Sequence, residues 1–299
     1  MSPTPGAPSC PVIWSPSPGW CTMGDRWSTT DGARRALRVP GHWLLLPRTE
    51  RDMADASRAW DPLGRALHAY LAGSRDEVLQ VSVDGGEEEV LPAATFFRES
   101  SAFEPWEQVA LARCHGRVLD LGAGAGCHAL ALQARGLTVA AVDVSEGAVQ
   151  VMTRRGVLDA RHGTAADVQD GPYATILLLM HGAGLGGDLA GLSALLLECQ
   201  RLLAPGGVIL VDSADPRGCV EPGEDDPDLD ALPLELRGDV GVAAMSLTWN
   251  GITGDPFPWI YLSARALTEL VRATDLDCEV LWAGDEGHYV ACLRPAAAG

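Results

Sequence analysis

The sequence predicts an α/β sandwich built on a mostly parallel sheet, and three observations carry that prediction. Short apolar runs alternate with helical patterns through the middle of the chain: strands are expected at 118–121, 137–142, 160–162, 174–180 and 208–211, with amphipathic stretches between most of them. The run from Ala174 to Met180 is almost wholly apolar, as strands covered on both faces are. Finally, Val118-Leu119-Asp120-Leu121-Gly122-Ala123-Gly124-Ala125-Gly126 is an apolar run carrying an acid, then glycine at every second position, then an immediate helical pattern from Cys127. Strand, glycine loop and helix N-terminus, in that order, bring backbone amides up to a nucleotide at the carboxyl end of a strand.

Each element has its own signal. The helix opened by Cys127 stops at Gly136, and the strand Leu137 to Val142 closes on Asp143. Ser145 caps the next helix, with Glu146 in its first turn and Gly156 beyond Arg155. A short third strand is expected at Ala160 to His162. The fourth runs into His181-Gly182-Ala183-Gly184, and a helix from Asp188 to Leu203 ends at Pro205-Gly206-Gly207. The fifth strand, Val208 to Val211, ends in Asp212. Residues 213–240 carry many acids among prolines and read as a solvated loop, with a substrate-facing lid as the alternative. Val242 to Trp249 reads as an extra strand, Leu262 to Ala273 as a helix, and Cys278 to Trp282 with His288 to Leu293 as a terminal hairpin.

Ahead of this unit, residues 1–52 are rich in Pro, Ser, Gly and Thr without periodicity, and little stable structure is expected there. Met53 opens a segment that looks like a protein start, so the leading residues are expected to be dispensable. Residues 53–115 are expected to form a cap: a helix from Ala54 to Ala72 and a hairpin of Val78–Val83 and Glu88–Leu91 around Asp84-Gly85-Gly86. Residues 116–299 then form the cofactor-binding domain, with 213–250 inserted.

Composition narrows the chemistry. A net charge of −18 opposes a polyanionic partner such as nucleic acid. All 22 basic residues are arginine, which removes a Schiff-base lysine, a phosphate-loop lysine and a lysine base. The eight cysteines have no C-x-x-C pair, which speaks against zinc knuckles and a disulfide scaffold; no metal is expected. The absence of a long apolar run leaves a cytoplasmic protein as the expectation.

A dinucleotide site would want glycine or alanine where Cys127 stands. The order of Val118 to Gly126, Val142-Asp143-Val144-Ser145, Ala165-Ala166-Asp167-Val168 and Leu202-Leu203-Ala204-Pro205-Gly206-Gly207 instead resembles the class I S-adenosylmethionine-dependent methyltransferases, over about Phe96 to Leu293. That resemblance implies a Rossmann-like three-layer sandwich, a mostly parallel seven-stranded sheet with an antiparallel last strand. It implies S-adenosylmethionine as cofactor and a small-molecule acceptor. Asp120, Gly122, Ala123, Gly124 and Gly126 would line the methionine end and the sugar. Asp143, with Val144 beside it, would accept the ribose hydroxyls. Asp167, with Ala166, would take the adenine amino group, and the Val168 amide the ring nitrogen. Phe97 and Arg98 would close over the cofactor, Arg98 meeting its carboxylate. Met180, which ends the fourth strand, would line the cofactor, and His181, the residue after it, faces the methyl group in the family and is the candidate base or substrate contact. The Asn/Asp-Pro-Pro-Tyr pattern of amino-methylating members is missing. Trp249, Phe257, Trp259 and Tyr261 could wall an apolar pocket. A different transfer from the same cofactor, a non-catalytic cofactor-binding module and a nicotinamide oxidoreductase remain alternatives.

Overall fold

The computed structural model describes residues 36–39, 42–45, 50–86, 88–218, 238–284 and 286–296. Strands β1 (Ala36–Val39) and β2 (His42–Leu45) form an antiparallel pair, and helix α1 spans Glu50–Leu71. Regular structure therefore begins before Met53; the rest of the leading stretch lies outside the described residues. Strands β3 (Val78–Val83) and β4 (Glu88–Pro92) form the expected hairpin, and a 3-10 turn over Ala93–Phe97 leads to helix α2 (Pro105–Arg113).

The main unit follows as β5 (Arg117–Leu121), α3 (Cys127–Ala134), β6 (Thr138–Asp143), α4 (Glu146–Arg155), β7 (Ala160–His162), β8 (Tyr173–Leu178), α5 (Leu189–Leu202) and β9 (Leu203–Ala214). Next come β10 (Val240–Trp249), β11 (Ile252–Thr253), β12 (Phe257–Leu262), α6 (Ala264–Arg272), β13 (Leu276–Ala283) and β14 (His288–Pro295). Seven strands form one sheet in the order β13-β14-β9-β8-β5-β6-β7. All run parallel except β14, which is antiparallel to both β9 and β13.

Helix ends follow local chemistry. The Ser145 hydroxyl accepts the Ala148 amide at 3.3 Å, and Gly156 leaves α4 in the left-handed region at φ 96°. Asp188 Oδ1 accepts the Gly191 amide at 2.6 Å at the start of α5. The last helix begins later than expected because Ser263 is its cap, accepting the Ala266 amide at 3.1 Å, so Leu262 ends a strand instead. Along β5 and β8 the side chains alternate between two cores. Leu119, Leu121, Ile176 and Leu178 face α5 and α6, while Val118 and Leu177 pack with Leu132 and Trp106.

The cap is larger than a helix and a hairpin. β10 pairs antiparallel with β3, from Met245 opposite Val83 to Thr248 opposite Gln80, and also with β11 and β12, giving a second, five-stranded sheet. The stretch expected as an insertion thus supplies the cap's central strand; residues 219–237 lie outside the described residues. Leu63, Leu67, Leu79, Val81, Met245 and Leu247 share a core with Ala125 and Val151, which anchors the cap beside the glycine loop. α1 approaches α4 closely where Gly64 faces Gly147: a Cβ on Gly147 would stand 2.7 Å from Gly64 Cα.

Candidate active site

The carboxyl edge of the parallel strands carries, in order across the sheet, Asp143 on β6, the glycine loop after β5, Met180 and His181 after β8, and Asp212 near the end of β9. Because β14 runs the other way, its first residue, His288, reaches the same edge, opposite Ala214. A crevice at this edge is where ligands of open α/β sheets bind.

The glycine loop is held open by backbone geometry. Gly122, Gly124 and Gly126 have φ of 70°, 56° and 78°, where a side chain is strained. The Gly122 amide donates to Val142 O at 2.9 Å and the Ala123 amide to the same oxygen at 3.2 Å, tying the turn to β6. Asp143 is 6% exposed; its Oδ2 accepts the Gly124 amide and its Oδ1 the Ser145 amide, each at 2.8 Å. Each oxygen keeps a second lone pair. Burial pushes the Asp143 acid up to about 6, against the two amides and His162. Asp120, 2% exposed, lies beside it and is also pushed up to about 6, by burial and the Asp143 charge, with His128 and the Ala129 amide pulling the other way. Its Oδ2 is buried and has no hydrogen-bond partner among the described residues. A buried carboxylate oxygen left without a donor is costly, and a ligand bringing a positive charge or donors is the kind of group that satisfies it.

Other expected residues are placed differently. Phe97 stacks on Tyr70 at 4.5 Å and lies under the Arg155 guanidinium at 4.6 Å; its neighbour Phe96 takes the position over the loop, where a Cβ on Gly124 would meet its Cδ1 at 3.0 Å. About three residues per turn in the 3-10 segment point adjacent side chains in different directions, and a residue pair read from sequence does not say which one faces the loop. Arg98 is engaged inside the protein: Nη1 and Nη2 donate to the two Glu107 oxygens at 2.7 and 2.8 Å, and Nε to Thr95 O at 2.9 Å. Two N–H groups of its fork remain. Asp167 Oδ2 accepts the Thr164 amide at 2.7 Å and hydroxyl at 2.8 Å, capping its own 3-10 turn. The Val168 amide donates to Ala165 O at 3.3 Å instead of standing free for a ring nitrogen. Ala166 is exposed beside it, and the Val144 carbonyl meets His162 Nε2 at 3.0 Å.

At the far end of the edge, Met180 and His181 both adopt left-handed backbone, φ 66° and 57°. Two consecutive non-glycine residues there store strain, which the surroundings must hold in place. Asp212 does so: it is fully buried, and its Oδ2 accepts the His181 amide at 2.8 Å while Oδ1 accepts the Gly182 amide at 2.9 Å. The His181 ring lies 5.0 Å from His288 and 5.7 Å from Tyr261. Burial and the His288 charge press the His181 imidazole down to about 4, against the pull of Asp212. The glycines beyond His181 let this segment touch the cap, since a Cβ on Gly184 would stand 1.9 Å from Trp259 Cε2. Gly184→Ala is therefore expected to cost about 1–3 kcal/mol by displacing Trp259, read as a lower midpoint in denaturant unfolding.

The residues that sequence reasoning did not single out are Phe96, Asp212 and His288. Asp212 and His288 carried one usable signal, their place at the ends of expected strands that meet at one edge.

Comparison with known proteins identifies the family of this fold. A family profile described as a methyltransferase domain matches residues 118–207, the span from the glycine loop to the end of α5 and the Pro-Gly-Gly turn. A solved S-adenosylmethionine-dependent methyltransferase from Bacteroides fragilis, in complex with S-adenosyl-L-homocysteine, is 32% identical, with 81% of this chain and 97% of that one covered and a TM-score of 0.69. Two curated relatives are ubiquinone biosynthesis O-methyltransferases. The one from Mesorhizobium japonicum is 27% identical over 174 residues, 54% of this chain and 60% of the relative. The one from Caulobacter sp. is 28% identical over 187 residues, 56% of this chain and 63% of the relative. The chain thus spans less than two thirds of the length of these curated relatives. The fold and the loop define a class I methyltransferase. The chain belongs to the S-adenosylmethionine-dependent methyltransferase family, and S-adenosylmethionine is its cofactor.

Proposed function

We propose that this enzyme transfers the methyl group of S-adenosylmethionine to a hydroxyl oxygen of a small molecule. The single observation behind this reading is the carboxyl edge itself: two buried acids with spare acceptor capacity at one end, and a histidine-lined, aromatic-walled end that reaches to β14, four strands from Asp143. The O-methyltransferase relatives support oxygen as the acceptor atom.

In this reading Asp143 takes both ribose hydroxyls on its free lone pairs, and the open glycine turn lets the chain lie close to the sugar. Asp120 faces the positively charged end of the cofactor. Arg98, held by Glu107, offers its two remaining N–H groups to the amino-acid carboxylate. Asp167, Ala166 and Val144 border the adenine, with Phe96 closing over the loop. When bound, the cofactor supplies a methyl carbon on a sulfonium, open to in-line attack. The protein's own work is to position the partners and exclude water. Met180 borders the cofactor, and His181, next to it after β8, stands on the acceptor side.

No helix among the described residues is long and apolar enough to cross a membrane. Cys114, Cys127, Cys199, Cys278 and Cys292 are free thiols, which supports a reducing, cytoplasmic setting.

The test is transfer of labelled methyl from S-adenosylmethionine to a panel of phenols, alcohols, amines and thiols. Label in phenols or alcohols, inhibited by S-adenosylhomocysteine, is the expected result. Binding of the cofactor without transfer to any of them would favour a non-catalytic module, and label only in amines would move the acceptor atom to nitrogen.

A further inference from the structure

We propose that His288 is the general base of this transfer, that it takes the proton of a phenolic acceptor, and that Asp212 is the residue that positions it. This rests on the methyl-transfer reading above and names the chemistry of its acceptor end.

The hydrogen bonds set the roles. His288 Nε2 lies 2.8 Å from Asp212 Oδ2. Burial alone would raise the Asp212 acid, but the His288 hydrogen bond, the charges of His181 and His288 and the Gly182 amide outweigh it and hold the acid below its usual range. An ionised carboxylate only accepts, so Nε2 carries the hydrogen and Nδ1 is left as the basic nitrogen. Among the described residues the His288 ring makes no other hydrogen bond, and its side chain keeps 15% exposure. Its ring is fixed edge-on by Trp106 at 4.7 Å and Trp282 at 5.8 Å. The backbone amides of His181 and Gly182 lock Asp212 in turn. This is the pattern of an acid orienting an imidazole that must gain a proton.

Position agrees with the role. From the Asp143 strand, across β5, β8 and β9 to β14, the edge covers four strand steps of about 4.8 Å each. With the ribose at β6 and the sulfonium beside the glycine turn, the β9–β14 end lies beyond the methyl group, on the acceptor side. His181 stands nearer the turn but is the poorer base, since its imidazole is pressed down to about 4. The ionisable groups facing His288 are Asp212 on β9 and His181 after β8; Glu286, exposed, stands two residues earlier in the chain. The Asp215 backbone amide donates to the Gly287 carbonyl beside His288, but its carboxylate is turned to Arg217; Tyr261 lies beyond His181, and Glu107 on α2 is turned toward Arg98 and His128.

The balance is simple. The acceptor oxygen forms its bond to the methyl carbon as the carbon–sulfur bond breaks, and the hydroxyl proton moves to Nδ1. One positive charge leaves sulfur and one appears on the imidazolium, beside the Asp212 carboxylate. The imidazolium then returns its proton to water. A phenol, ionising near 10, is within reach of an imidazole base, whereas an alkanol is far harder to deprotonate. Trp106, Trp282 and Tyr261 offer flat apolar surface around the two histidines, and a net charge of −18 disfavours an anionic acceptor.

The test compares phenol with thiophenol, which is already a thiolate at pH 8 and needs no base. His288→Gln is expected to lower kcat/KM for phenol about 100-fold or more while changing thiophenol by less than about threefold and leaving S-adenosylhomocysteine affinity intact. Asp212→Asn, which also strands one of the two backbone amides that Asp212 holds, should lower the value for phenol well beyond any loss it causes with thiophenol. With the unaltered enzyme at saturating S-adenosylmethionine, kcat/KM for phenol should rise tenfold per pH unit to a plateau set by one group, a readout that does not depend on either variant folding. Equal losses for both acceptors, no loss, or a rate that climbs without a plateau would overturn the assignment. Activity removed by a chelator and restored by a divalent cation would also overturn it, giving His181, Asp212 and His288 to a metal, since their ligand atoms lie within 4.8 Å of one another. Failure to bind S-adenosylhomocysteine would instead strike the methyl-transfer reading, and methylation of thiophenol but never of phenol would strike the base alone.

Discussion

Replacing Glu107 with alanine is expected to destabilise the fold by about 3–5 kcal/mol, the cost of leaving a buried ion pair without one partner. Glu107 is fully buried on α2 and serves two groups at once, the Arg98 fork and His128 Nε2 at 2.7 Å. It also accepts the Glu104 amide at 2.8 Å, so the same side chain closes the capping box of its helix. Arg98 is only 17% exposed and His128 only 6% in their side chains, so water cannot replace the lost oxygens well. Burial works to raise the Glu107 acid. The His128 hydrogen bond, the charges of His128 and Arg98 and the Glu104 amide overcome it, and the acid sits below its usual range. A lowered folded value means the stabilisation is present above the ordinary carboxylate range and is lost as pH falls through the folded value. Urea unfolding at pH 7 and at pH 4 reads both effects: the gap between the parent and E107A should be largest at neutral pH. A gap below about 1 kcal/mol at neutral pH would mean the cluster behaves like an exposed pair.

The second large effect is on the cofactor. Asp143→Ala is expected to weaken binding of S-adenosylhomocysteine by about 1.5–3 kcal/mol, roughly 10- to 150-fold, as loss of hydrogen bonds to a charged group does. Because the alanine also strands the Gly124 and Ser145 amides, Asp143→Asn is the control that keeps one acceptor oxygen in place. The pH dependence has two opposite signs. Asp143 and Asp120 are both raised to about 6 in the folded chain from 3.8. Their contribution to stability without cofactor is therefore full below 3.8 and is lost as pH rises through about 6. Cofactor affinity, which calls on the ionised acids, should rise over the same window. Titrations at pH 5 and pH 8 check it. Affinity that is flat or falls with pH would remove these carboxylates from the binding account.

What the sequence made legible was local. The glycine run from Gly122 to Gly126, the acid closing β6, the Ser145 and Gly156 caps and the terminal hairpin each announce themselves within a few residues, and each stands where expected. What it hid depends on partners far apart in the chain. Val240–Trp249 pairs with a strand about 160 residues earlier, so an apolar stretch read as part of an insertion became the centre of the cap sheet. Asp212 and His288 meet across a 76-residue separation, and neither carries a motif. His181 was legible as a candidate base or substrate contact because it follows the fourth strand, whereas its nearness to His288, 5.0 Å between rings, depends on the fold. The choice between Phe96 and Phe97 turned on the twist of one short 3-10 segment, which periodicity does not resolve.

One calorimetric titration bears most directly on the whole picture: the full chain with S-adenosylhomocysteine, with NADH as the rival ligand, repeated on the Asp143→Asn variant. Micromolar binding of the adenosyl ligand, weaker in the variant, and no heat from NADH is the expected outcome. Tighter binding of NADH, or equal binding of S-adenosylhomocysteine by both proteins, would contradict the placement of the ribose on Asp143.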